Sequence, residues 1–438
     1  MKKGFVALLL GLAIIVLLSP AIVGRFAERS MDENLDWAAT ESQEVVVTSQ
    51  GFDRGWFSSA GQHRIALRDG ELRGAFLAIL GDVGSAELPV LIVDTRLDHG
   101  LVPLASIARD KGTLMPGLGS AVSTLHLEFE NGDQIDVPGT IYSEVGLTGK
   151  LSSNYVLTGG SFDLHGETAN WGDTDIVVTT NPNNGHVDFH GSLASLSLMS
   201  PMDRVDIESI EFSGNRRQTP FGFAVTDVDI DVASVAALGQ DTAESFGPFS
   251  LHTKTDVGGD RLSMDTSLRL ENTPLGNLGN SAIAIDVELT DVDGLAAGNI
   301  ADAFRQLQAS GNSEDFMFVV EDDLKRLLAA GFELSVDKLD ISMPMGPVTA
   351  RIHITLDESS SNSFAWTSAL LDLDASVELS VPADLFDLIA ADNPEVHGAV
   401  GLGYVRKNGD FYELEAAFDK GLLTVNGAPM ALPIPGLR

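Results

Sequence analysis

From Val45 onward the chain is dominated by alternation of apolar and polar residues. In residues 225–232, Val228, Ile230 and Val232 alternate with Asp227, Asp229 and Asp231. Leu125-His126-Leu127-Glu128-Phe129 and Val205-Asp206-Ile207 repeat the pattern. Successive side chains of a strand point to opposite faces, so period two predicts strands with one packed and one solvated side. Antiparallel sheet satisfies that pattern. Asn131-Gly132, Asn184-Gly185, Asn408-Gly409 and Asn426-Gly427 lie between such runs and predict tight hairpins, and Gly159-Gly160 and Gly258-Gly259 look similar.

The period changes in a few places. Ile300, Phe304 and Leu307, then Phe316, Val320, Leu324 and Leu327, recur at helical spacing and predict a helical hairpin over 293–309 and 314–330. Gly311 separates the two helices and Gly331 ends the second. Asp291-Val292-Asp293-Gly294 suits a turn and helix N-cap. A further helix is expected at 382–391 with Pro382 in its first turn, and shorter ones at 101–109 and 234–238. Residues 25–39 read as an amphipathic helix projecting as a stalk. Phe26, Met31 and Leu35 form its apolar stripe, and Glu28 and Asp32 lie on other faces.

Ahead of that helix, residues 4–23 carry no charge and follow Lys2 and Lys3. Twenty helical residues span roughly 30 Å, the thickness of a hydrocarbon core. The exit around Ala21 and Val23 is a poor cleavage site, which favours an uncleaved anchor over a removed signal. The basic end is expected to stay in the cytoplasm, so the body would be periplasmic in a bacterium. The organisation is then a transmembrane signal-anchor at 1–24, a juxtamembrane helix at 25–44, an antiparallel β region at 45–290, a helical hairpin at 291–332 and a C-terminal β region at 333–438. The fold class is mainly β, of the α+β type.

Composition narrows the function. Lys and Arg number 27 against 63 Asp and Glu, and the net charge is −36. Such a surface repels phosphate backbones and excludes nucleic acid as a partner. The acids are spread along the chain, as expected for a solvated surface. The chain has no cysteine. That removes thiolate nucleophiles, thiolate metal sites and a lipoprotein tether, and leaves the core to stabilise the body without disulfides.

Motifs for chemistry are sparse. His186 and His190 share a strand face but lie about 13 Å apart, too far for one metal. Asp227, Asp229 and Asp231 lack the glycine and terminal acid of a calcium loop. No nucleophile elbow, phosphate loop or dinucleotide fingerprint appears. No cofactor, metal or catalytic residue is therefore expected. Two segments stand apart. Gly51-Phe52-Asp53-Arg54-Gly55-Trp56-Phe57-Ser58-Ser59 packs three aromatics around a tight turn, and Leu97-Asp98-His99-Gly100-Leu101-Val102-Pro103-Leu104 combines a strand end, a turn and a helix start. Phe52, Arg54, Trp56, Phe57 and His99 are the candidate contact residues. An aromatic pin for the turn and a backbone-bonded turn histidine are the plainer readings.

On these segments, and on Leu423-Thr424-Val425-Asn426-Gly427-Ala428-Pro429-Met430, the chain resembles the YdgA/YihF-like family of bacterial envelope proteins. The resemblance implies an envelope location and a β architecture, and carries over no catalytic residue. Two function classes follow. One is a non-enzymatic, inner-membrane-anchored periplasmic protein with a binding or structural role, whose partners are the membrane through residues 4–23 and an envelope lipid or protein. The other is an envelope glycan or peptide hydrolase using paired carboxylates.

Overall fold

A computed structural model describes residues 27–29, 31–34, 45–68, 70, 73, 88–99, 117–129, 132–164, 167–199, 203–239, 243–310, 316–359, 370–391 and 393–430. The expected span at 4–23, the helix at 101–109, Phe26, residues 35–39 and Asn131 lie outside them. Among the described residues no helix is long and apolar enough to cross a membrane. The chain is mainly β and divides into two compact units, Met1–Arg217 with Val235–Ala243, and Gln218–Ser234 with Glu244–Arg438.

The strands of the first unit are β1 (Val45–Arg54), β2 (Ser58–Leu67), β3 (Val90–His99), β4 (Gly119–Glu128), β5 (Gln134–Val145), β6 (Leu151–Leu157), β7 (Gly160–Leu164), β8 (Glu167–Trp171), β9 (Thr174–Asn181), β10 (His186–Met199) and β11 (Arg204–Gln218). β1 to β6 form an antiparallel meander, each strand paired with the next. β6 then pairs β9, and β9 pairs β10. One edge of β10 is shared by β9 and β8, and the other is covered by β11.

One face of this sheet is covered by the helical turns at 27–29 and 31–34. Ala27 and Met31 pack with Leu97 and Ala121 into a buried cluster against Phe52 and Leu118. Gly119 makes room for this contact, since a Cβ there would lie 3.4 Å from the Ala27 Cβ and 2.8 Å from the Asp98 carbonyl oxygen. These turns are therefore no free stalk, because they bury their apolar side on the sheet. A row of hydroxyls runs beneath the same face. Thr95 and Ser123 are hydrogen bonded at 2.8 Å, as are Ser143 and Ser153.

The chain continues through β12 (Ala224–Leu238), β13 (Ala243–Phe246), β14 (Phe249–Gly258), β15 (Arg261–Pro274), β16 (Asn280–Asp293), α1 (Gly294–Ser310), α2 (Phe316–Ala330), β17 (Phe332–Met343), β18 (Gly346–Leu356), β19 (Leu373–Pro382), α3 (Ala383–Ala391), α4 (Pro394–Gly401), β20 (Arg406–Asn408), β21 (Phe411–Asp419), β22 (Leu422–Val425) and β23 (Ala428–Met430). In the second unit β12 pairs β14, and β14 to β19 form a second antiparallel meander. β19 pairs β21, whose far edge takes β20 and β22. The expected helix at 234–238 is instead the end of β12: the alternation stops before it, and continuation of a paired strand overrides a weak local helix preference. Pro382 closes β19, paired with Phe411, rather than opening the helix. The helix α4 gave no periodic signal.

The hairpin α1–α2 is held where it leaves the sheet. Ala296 N–H donates to the Asp293 carboxylate at 2.8 Å, an N-cap. Arg326 of α2 donates to the other Asp293 oxygen at 3.0 Å. Gly294 leaves space for the Phe221 ring, which a Cβ would meet at 2.3 Å. Of the four Asn-Gly pairs, Asn426-Gly427 forms the expected two-residue hairpin, with both φ positive at 49° and 75°.

Asp293→Ala is expected to cost about 1–2 kcal/mol in urea unfolding through loss of the cap. Asp293→Asn, which can still accept from Ala296, should cost less. Equal losses would show that the cap contributes little.

Candidate functional site

Arg54 ends β1 and Ser59 lies near the start of β2, so the tight turn between them brings both to one corner of the first sheet. Strand pairing places Ser59 opposite Leu97, two residues from His99 at the end of β3. Glu28 comes down onto this corner from the 27–34 turns. The Arg54 guanidinium donates to Glu28 Oε1 at 2.8 Å and also to Oε2, and Ser59 O–H donates to Oε1. The Ser59 hydroxyl lies 3.2 Å from His99 Nε2. His99 N–H donates to the Phe57 carbonyl at 3.0 Å, which ties the turn to β3.

Thus three of the expected contact residues, Arg54, Phe57 and His99, converge through a relay: Glu28 joins Arg54 to Ser59, Ser59 reaches His99, and His99 is bonded to Phe57. The buried carboxylate of Glu28 is charge-paired on the sheet rather than facing solvent, held by the fork of Arg54. His99 is not a turn histidine but a buried strand residue. Phe52 belongs to the core: its ring lies over Gly61, where a Cβ would meet it at 2.8 Å, and packs edge-on against His63 at 5.6 Å between centroids. Trp56 and Phe57 are each 54% exposed at the tip of the turn. The opposite end of the 27–34 turns is also polar. Asn34 donates to the Gly149 carbonyl at 3.3 Å and accepts from Thr180.

A nucleophilic reading of Ser59 and His99 fails on geometry. Ser59 gives its proton to Glu28 and both side chains are buried, so no substrate reaches the hydroxyl. Asp98 points to the opposite face of β3 from His99 and lies 3.6 Å from Arg96. Among the described residues no cluster of His, Asp and Glu could hold a metal ion.

His63 is the buried group that sequence reasoning passed over. It is 1% exposed, and among the described residues neither ring nitrogen has a hydrogen-bond partner. Burial holds its pKa below 6.5, and the Asp32 charge only partly opposes this. The folded state therefore resists a proton that the unfolded chain accepts. The stability that His63 contributes as a neutral ring is present above 6.5 and is lost as pH falls below it.

The second unit offers a different kind of surface. Ile230, Leu251, Leu268, Ile285, Leu339, Ala350, Leu379 and Leu414 are partners in register on eight strands. Eight strands at about 4.8 Å spacing make an apolar strip some 34 Å across. Each of these side chains is half-buried and none is fully buried. The adjacent rows carry charge on the opposite side. Arg269 donates to both oxygens of Asp286 there at 2.6 and 2.8 Å, and His252 contacts Asp229. That polar side has a depression of about 440 Å³ lined by Arg351, Glu378, Arg406, Glu413 and Glu415 among others. Glu378 and Glu415 are register partners, two carboxylates on neighbouring strands. Both are exposed on the sheet surface rather than set across a closed cleft.

Arg54→Ala leaves the Glu28 carboxylate buried without its cation and should cost about 3 kcal/mol. Glu28→Gln with Arg54→Met should cost less than Arg54→Ala, and a simple sum of the single effects would dissolve the clamp. His63→Leu should leave stability near neutral pH level or higher, and flatten the loss between pH 7 and pH 5. An unchanged acid slope would remove His63 from that titration.

No curated protein and no solved structure matches the chain. A family model does: a bacterial protein family of unknown function, DUF945, matches residues 1–433. Almost the whole chain is covered, both the clamped sheet and the apolar strip, and the chain belongs to that family.

Proposed function

We propose that this chain is an inner-membrane-anchored envelope protein whose body lies in the periplasm and binds lipid acyl chains without catalysing a reaction. The observation that carries the lipid part is the eight-strand row of half-buried apolar side chains in the second unit. Burial stabilises apolar surface by roughly 25 cal/mol per Å², so a strip of this size left half-open gains from an apolar ligand. Among the described residues of the second unit the helices pack chiefly against β16, β19 and β21, and the hairpin also reaches the end of β15 through Arg261. The uncharged residues 4–23 after Lys2 and Lys3 support the anchor. The acidic body supports a solvated compartment and opposes adhesion to anionic headgroups, which leaves the chains of a lipid as the part to bind.

Among the described residues the buried carboxylates do not support a hydrolase. Glu28 is paired with Arg54, Asp293 caps α1, and Asp98 sits on another face of its sheet.

A photo-crosslinking residue placed at Ile285, or at Ile352 two residues along β18 from Ala350 and on its side of the strand, in the full chain in bacterial cells should give lipid adducts by mass spectrometry. The same residue at Arg351, on the charged side, should give none. Adduct-free protein at both apolar positions would reject lipid binding. Recovery of the chain from the soluble fraction with residues 4–23 removed would reject the anchor.

A further inference from the structure

We infer that Trp56 and Phe57 form an aromatic foot that enters the interfacial zone of the bilayer; the inference rests on the anchor reading of residues 4–23. Only residues 24–26 separate that uncharged run from Ala27, the first residue of the helical turns. From Val23 to Glu28 the chain can reach at most about 18 Å if fully extended, and about 8 Å if helical. Glu28 is in turn bonded to Arg54 and Ser59, the residues that bracket the turn. The turn tip is therefore held near the point where the chain would leave the hydrocarbon. Asn34, at the other end of the helical turns, is bonded instead to Gly149 and Thr180. Of these contacts, the one with the β1–β2 turn is made nearest to residue 23 along the chain.

What the tip presents fits that place. Trp56 and Phe57 are adjacent and 54% exposed each. Gly55 N–H donates to the Ser58 carbonyl at 2.8 Å and His99 N–H to the Phe57 carbonyl at 3.0 Å, so the backbone beneath both rings is fixed. Exposing two large rings to water on a fixed turn is unfavourable unless an apolar phase receives them. Trp suits the bilayer interface, where its ring is buried and its N–H stays wet. A chain of net charge −36 is poorly suited to hold its body to anionic lipid through basic residues. An aromatic contact needs no such charge.

The absence of cysteine makes the test direct. Full-length Phe57→Cys, labelled with an environment-sensitive fluorophore, is reconstituted into vesicles of phosphatidylethanolamine and phosphatidylglycerol with brominated chains. Asn183→Cys, at the exposed β9–β10 turn, is the control. The expected result is flotation of both proteins with the vesicles, with the Phe57 label blue-shifted and losing most of its emission to bromine while the Asn183 label keeps its emission. Trp56→Cys should behave as Phe57→Cys does, which covers a failure of one variant to fold. If both proteins float but the tip labels are as bright as the control, the foot is wrong and the anchor stands. If neither floats, the anchor reading fails, and the foot with it.

Discussion

A slip of one residue between β16 and β17 would bring Leu339 out on the side that now holds Asp340 and Asp286. The apolar row across the second unit exists only because every ladder from β12 to β21 keeps phase with its neighbour. The sequence of β17 shows how strictly this holds. Leu334 and Val336 alternate, then Asp337 and Lys338 follow one another, then Leu339 and Ile341 resume on the other parity. The pairing of β17 with both neighbours shifts at this point. The bulge absorbs the extra residue, and all four apolar side chains stay on one side.

The two units solve burial differently. The first covers its packed face with the helical turns at 27–29 and 31–34, and the contact centres on Ala27, Met31, Leu97 and Ala121. Because that cover is short and helical, its polar ends must be satisfied, and Glu28 and Asn34 do this through Arg54, Ser59, Gly149 and Thr180. The hydroxyl pairs Thr95–Ser123 and Ser143–Ser153 complete an interior that is closely packed but not oily. In the second unit the helical hairpin caps the ends of β15 and β16 through Asp293, Arg261 and Phe221 and leaves the middle of the strip half-open.

Much of the architecture was legible in residue order. Alternation marks strands because a strand has two sides, and the helical hairpin announced itself through Phe304, Phe316, Val320 and Gly331. Two misreadings have clear causes. The segment Ser234–Leu238 is rich in alanine, and only its place at the end of a paired strand makes it extended. Glu28 looked like a solvent-facing helix residue because helical periodicity records which side is polar, not whether a distant guanidinium waits there. The partner, Arg54, lies 26 residues away. The contact segments around Trp56 and His99 were visible as oddities of composition. That Arg54, Ser59 and His99 share a corner follows from β1–β2–β3 register, which no local pattern encodes.

Most strands pair with the one just before them, and this bears on how the body is assembled. A meander can be zipped in order of synthesis, each new strand finding a ready edge, so no early strand waits long with bare amides. The leading helical turns are the exception. Their apolar contacts need Leu97 and Ala121, while Asn34 meets Thr180 on β9 only after some 146 further residues have been laid down. Export or synthesis that stalls before β9 would leave the far end of this cover unpinned.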